Sequence, residues 1–180
     1  MKGVQPMTIK IAQSSDLPAI YKFYQRVCEQ QKDDEYSPKW TWQDYPSEKG
    51  LSDSVAHDQV IINLQDDQVI AAGVLSVGED PTYRDVPWEH PVADSKIAVL
   101  HLFAVDKEFR GHGIAQTTLR AIINQARQNG QTVMHLDIID PNLPAEKAYL
   151  KAGFHINNSQ IINYDDLGLT PAKLFELMLN

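Results

Sequence analysis

The sequence predicts an α/β (α+β) fold, and three observations predict it. Residues 97–105, Ile-Ala-Val-Leu-His-Leu-Phe-Ala-Val, form a nearly continuous apolar run with β-branched members, which reads as a buried strand. That run feeds a glycine-rich turn, Phe109-Arg110-Gly111-His112-Gly113-Ile114-Ala115, which opens an amphipathic helix. A hairpin pattern precedes this unit, and a second strand and helix follow it.

Taken in order, residues 8–12 alternate as a short first strand. Ser14 or Ser15 then caps a helix whose apolar face is Leu17, Ile20, Tyr21, Tyr24, Val27 and Cys28, with Pro18 tolerated in its first turn. The polar run 29–35 closes it. Residues 36–45 hold Trp40, Trp42 and two tyrosines, which either roof the core or line an acceptor pocket. A short helix is expected over 47–56. Residues 59–65 and 69–76 flank the acidic turn Asp66-Asp67-Gln68 and read as a hairpin. Residues 79–94 carry three prolines, Tyr83 and Trp88 and read as a long loop, expected to act as a lid or acceptor wall.

After the glycines, Ala115, Leu119, Ile122 and Ala126 recur at helical spacing until Gly130. Residues 132–139 make the next strand, and 142–153 the next helix, stopped by Gly153. Two closing strands are expected at 156–164 and 172–179, separated by Asp165-Asp166-Leu167-Gly168.

The chain has 180 residues, 43% hydrophobic and 22% charged, which suits one domain spanning 1–180. A formal charge of −8 argues against a nucleic-acid or anionic-membrane partner, both of which need a basic footprint. Such a field is compatible with a cationic amine acceptor. Cys28 is the one cysteine, so no internal disulfide forms, and its place on an apolar helix face makes it a core thiol. Residues 1–6 lack the apolar segment of a secretory signal, and no run approaches the roughly 18 apolar residues of a membrane span. A soluble cytoplasmic protein is the expectation.

A strand, a glycine turn and a helix N-terminus together make an anion site. First-turn N–H groups lack partners within the helix, and glycines let a phosphate approach the backbone. Arg110 can add charge-assisted bonds. A dinucleotide fingerprint needs Gly or Ala three residues past Gly113, where Gln116 stands, and a phosphate-binding Gly-Lys-Ser/Thr loop is absent. His101, His112 and His135 fall on separate elements without zinc-ligand spacing, so no metal site is expected.

Arg110-Gly111-His112-Gly113-Ile114-Ala115, preceded by Ala104-Val105-Asp106, resembles motif A of the GNAT acyl-CoA N-acyltransferases. Asn142-Leu143-Pro144-Ala145 through Tyr149, followed by Gly153-Phe154, resembles their motif B, in the expected order and spacing. The resemblance implies a GNAT fold: a mixed, mostly antiparallel sheet of about six or seven strands, flanked by about four helices, with splayed central strands. It implies transfer of an acetyl group from acetyl-CoA to a primary amine through a ternary complex, without a metal, in a protein that is a possible homodimer. Backbone groups of Arg110, Gly111, His112, Gly113, Ile114, Ala115 and Gln116 would hold the pyrophosphate. Phe103 and Val105 would pair with pantetheine, and Asn142 would touch the cofactor arm or fix its helix. Tyr149 is the implied general acid. His101 is a candidate general base, although Val99 occupies the place where members put its partner or a glutamate; Asp137 is the alternative. Trp40 and Tyr83 are the candidate acceptor contacts. A cofactor-binding domain without turnover is the alternative of a different class, whereas Gln116 disfavours a nucleotide-dependent oxidoreductase.

Overall fold

Residues 6–180 are described by the structure, a computed structural model; the reading of residues 1–6 falls outside it except at Pro6. Seven strands form one sheet: β1 (Thr8–Ile11), β2 (Gln59–Gln65), β3 (Gln68–Val77), β4 (Ile97–Val105), β5 (Val133–Ile139), β6 (His155–Tyr164) and β7 (Gly168–Met178). Their order is β1-β2-β3-β4-β5-β7-β6, with β4 and β5 parallel and every other neighbouring pair antiparallel. Four α-helices flank it: α1 (Leu17–Gln30), α2 (Glu48–His57), α3 (Ile114–Gln128) and α4 (Leu143–Lys151).

Both faces of the sheet are covered, which is why β2, β3 and β4 read as unbroken apolar runs. Ile61, Leu75 and Leu100 pack with Leu119, Ile122 and Ala126 of α3. Val60, Ile62 and Val74, pointing the other way, pack with Ile20, Phe23, Tyr24 and Val27 of α1 and Leu51 of α2. Phe23 belongs to the buried face of α1, where the sequence reading had placed Leu17 and Tyr21; the true stripe follows steps of three, one, three and one from Ile20 to Cys28. In α3, Ile114 and Ile123 likewise join the buried face, and Ala115 is only half-buried. Cys28 is buried, and burial pushes its thiol up to about 11, in keeping with a packing role.

Several local expectations change in detail. Ser14 and Ser15 do not cap α1; they lie in a 3-10 turn that Asp16 closes by accepting the Gln13 N–H at 2.8 Å. Ser47 does cap α2, accepting the Gly50 N–H at 3.1 Å. The β2–β3 turn places Asp66 and Asp67 at φ 50° and 61°, the left-handed pair that a two-residue hairpin requires. β7 begins at Gly168, four residues earlier than expected. Pro171 is tolerated within it because it lies past the last β5 pair, Ile139↔Ala172, where its carbonyl accepts the Asp140 N–H at 2.9 Å and no β5 residue needs an N–H from it.

Two irregularities shape the centre of the sheet. β4 and β5 pair only at Ile97↔Val133, Ala98↔Met134 and Val99↔His135, and then diverge. On the other side of β4, register with β3 shifts between Ala72 and Val74, so Leu102 and Phe103 oppose Gly73 alone. Leu102 takes φ 53° in this bulge, and the Tyr24 hydroxyl donates to its carbonyl at 2.7 Å. Gly73 fits closely here, since a Cβ would lie 3.0 Å from both Ile122 Cδ1 and Leu100 Cδ1, which would have to shift by a few tenths of an ångström.

The end of β4 is tied to α1 by a buried charge. Asp106 accepts hydrogen bonds from Arg26 Nε at 2.5 Å, Gln30 Nε2 at 2.9 Å and the Glu108 N–H at 3.1 Å. Burial works to raise this carboxyl, but those three donors outweigh it and hold it below the usual carboxylate range. Its stabilisation is therefore present above the unfolded value near 3.9 and is lost as pH falls through the lower folded value. Asp106→Ala is expected to cost about 3 kcal/mol, at the low end for a broken buried pair because Arg26 retains solvent access. The midpoint of thermal unfolding at pH 7 should fall by roughly 6–12 °C, with the deficit shrinking below about pH 4; an unchanged midpoint would remove Asp106 as an anchor.

Candidate active site

A cavity of about 530 Å³ opens where β4 leaves β5. Residues Leu100–Val105 of β4 line one side and Asp137–Ile139 of β5 the other. Among the described residues, no strand pairs with this edge of β4 beyond Val99, so its backbone polar groups face the gap. Phe103 and Val105 lie on this stretch, and the Val105 carbonyl accepts from Arg110 Nε at 3.4 Å.

At one end lies the glycine turn. Asp106 caps a 3-10 turn, Lys107–Phe109, and the chain then passes through Gly111 at φ 79° and Gly113 at φ 77° before α3 starts. Gly113 is the N-cap and offers no side-chain oxygen, so no side chain occupies the first N–H groups of α3. The side chains of this stretch have separate duties. Ile114 packs against Ile70 and Ala71. Ala115 and His112 are not buried, and His112 Nδ1 lies 2.9 Å from the Arg110 carbonyl. Gln116 donates through Nε2 to the Ala148 carbonyl at 2.9 Å, locking α3 to α4. Arg110 lines the cavity and pairs with Asp34 at 2.8 Å. Asn142 caps α4 by accepting the Ala145 N–H at 3.3 Å and also borders the cavity.

Tyr149 reaches the cavity from α4. Its ring packs beside Phe103, Phe154 and Phe175 at centroid distances of 6.1, 5.7 and 5.9 Å. Burial, and after it the Asp137 charge, pushes the hydroxyl above its ordinary range, so the group holds its proton at neutral pH. Packing and cavity lining are both true of this residue.

Beyond Tyr149 the walls become acidic and aromatic. His101 borders the cavity, with Nε2 3.7 Å from Asp80 Oδ2. It also borders a smaller adjoining cavity that contains Asp58. Asp137 accepts the hydroxyls of Tyr83 and Tyr164, one on each carboxylate oxygen. Tyr83 is fully buried and presents its hydroxyl to Asp137. Trp40 both roofs the α1 core and lines the cavity, with Tyr24 and Tyr45 edge-on to it. Tyr45 and Asp80 line the cavity from segments that the sequence offered as pocket or wall, whereas Tyr164, Asp165 and Asp166 were not foreseen as cavity residues. The acidic pair 165–166 looked like an ordinary turn, and nothing in local periodicity shows that the β6–β7 turn folds back over β5.

The 79–94 segment is a packed wall. Tyr83 and Val86 are buried, and Trp88 stacks on His135 at 3.6 Å with the planes 5° apart. His135 bridges Glu79 at 2.9 Å and Glu176 at 3.2 Å, and Glu176 also accepts from His90 at 2.8 Å.

Comparisons place this architecture among known proteins. An acetyltransferase of the GNAT family from Streptococcus pneumoniae superposes with a TM-score of 0.73 at 14% identity, over 97% of this chain and 100% of that one. The ribosomal-protein-S18-alanine N-acetyltransferase of Escherichia coli gives 0.68 at 20% identity, over 97% and 95%. The yncA protein of Salmonella typhimurium, solved with its cofactor acetyl-CoA, gives 0.69 at 16% identity, over 98% and 95%. No curated protein sequence matches significantly. At these identities the likeness establishes the fold, whereas the sequence profile described as the Acetyltransferase (GNAT) family matches residues 17–154 directly. With both motifs inside that match, the chain belongs to the GNAT acetyltransferase family.

Proposed function

We propose that the protein transfers an acetyl group from acetyl-CoA to a primary amine by direct attack in a ternary complex. The observation that carries this reading is convergence: the β4 edge that β5 leaves, Arg110 at the head of the glycine turn and Tyr149 all line one cavity. The residues fit the cosubstrate. N–H groups from Gly111 to Gln116 offer an anion cradle with the positive end of α3 behind it. Backbone groups at Phe103 and Val105 offer a strand-like edge to an amide-bearing arm.

The chemistry needs an amine nitrogen to bond to the thioester carbon, the C–S bond to break, and a proton to move from nitrogen to sulfur. His101, with Asp80 beside it, takes the amine proton directly or through water. Tyr149, kept protonated by burial, gives its proton to the departing thiolate. An N–H of β4 polarises the carbonyl. His101 is favoured as base over Asp137, because both oxygens of Asp137 already accept tyrosine hydroxyls.

Calorimetric titration with acetyl-CoA, followed by free-thiol release across an amine panel, tests this reading. Binding with amine-dependent release is expected; absence of binding would overturn it. Tyr149→Phe should lower kcat by about 10²–10⁴-fold while leaving the acetyl-CoA dissociation constant within about threefold. Equal turnover would take Tyr149 out of the mechanism. Gly113→Val should weaken acetyl-CoA binding at least about tenfold, because a β-branched residue at φ 77° is strained by roughly 1–2 kcal/mol and its side chain enters the anion cradle. Affinity like that of the unsubstituted protein would exclude the turn from the binding site.

A further inference from the structure

The end of the cavity away from the glycine turn has a distinctive charge. Asp80, Asp137, Asp165 and Asp166 line it, contributed by the 79–94 wall, β5 and the β6–β7 turn. The only Lys or Arg among the described lining residues is Arg110, which is paired with Asp34, and Glu35 lines the cavity too. Asp80 and Asp137 are half-buried, engaged by Thr82 and His101 and by two tyrosines. Asp165 and Asp166 are exposed, and no cation pairs with them among the described residues. The Asp166 charge reaches inward: after desolvation and the Asp137 charge, it helps push both the Tyr45 and the Tyr164 hydroxyls above their ordinary range. Trp40 and Tyr45 supply aromatic rings on the same side.

Resting on the acetyl-transfer reading above, we propose that the acceptor is a small aliphatic diamine or polyamine without a carboxylate. One amine enters beside His101 and Tyr149 and reacts. A second, still protonated, stays against Asp165 and Asp166 near the Trp40 and Tyr45 rings. An ion pair and a cation–π contact hold that distal charge. An acceptor of the same length ending in a carboxylate would bring like charges together, and one ending in a methyl group would leave the acidic turn without a partner.

Three acceptors of matched chain length separate these cases: 1,4-diaminobutane, butylamine and 4-aminobutyrate, compared by thiol release from acetyl-CoA with the full chain. kcat/KM for the diamine should exceed that for butylamine on the order of tenfold, from one screened ion pair and one cation–π contact, and 4-aminobutyrate should be the poorest. The diamine advantage should shrink with added salt and fall to within about threefold in Asp165→Asn/Asp166→Asn. Butylamine or 4-aminobutyrate matching the diamine would overturn the acceptor class while leaving acetyl transfer standing. If no amine releases thiol, the acetyl-transfer reading fails. Calorimetric titration of 1,4-diaminobutane into the CoA-saturated protein then decides the acidic pocket on its own: binding weakened by the double substitution supports it, and no binding overturns it.

Discussion

The parting of β4 from β5 after three paired residues is the constraint on which the rest of the structure depends. A sheet interior normally satisfies every backbone N–H and C=O, and leaving a row of them unpaired between two strands is costly unless water or a ligand takes them. Here the cost is tolerated because each strand is secured on its other side. β3 holds β4 as far as Val105, and β7 holds β5 along its whole length, from Val133 to Ile139. The bulge at Leu102, seated on the Tyr24 hydroxyl and opposite the small Gly73, bends β4 where the gap begins.

Electrostatics then assigns the two ends of that gap. Asp106 fixes the start of the glycine turn through α1, and Gln30 secures it twice, donating to Asp106 and accepting the Lys107 N–H at 3.0 Å. The turn itself contributes main-chain donors and Arg110. The far end contributes carboxylates and phenols. The described lining of the cavity therefore carries one Arg, Arg110, against the carboxylates Asp34, Glu35, Asp80, Asp137, Asp165 and Asp166, in a chain whose net charge is −8.

Much of this was legible in the sequence where local pattern decides structure. The run 97–105, the two left-handed glycines and the helix stripe of Leu119, Ile122 and Ala126 behave as their spacing indicated. So did the Asp66-Asp67 hairpin turn. What was not legible depends on contacts distant in sequence. Phe23 faces the core because β2 and β3 lie beneath it, and Pro171 is accepted in a strand because β5 stops short of it. Asp165 and Asp166 reach the cavity because the β6–β7 hairpin is the last piece laid beside β5. The aromatic segment around Trp40 was read as either roof or pocket wall; one residue does both, since its ring covers the α1 core and borders the gap.

The stacked pair of Trp88 and His135, with Glu79, Glu176 and His90 around it, has a consequence for how the site handles entropy. Carboxylates on two elements hold one buried imidazole, so the wall carrying Asp80 and Tyr83 is already ordered. A wall that had to fold over its ligand would give up about 0.5–1.5 kcal/mol for each side chain it immobilised. This one spends that conformational freedom during folding, so discrimination at the acceptor end rests on fit to a shape that already exists, and affinity is not diluted by ordering the protein.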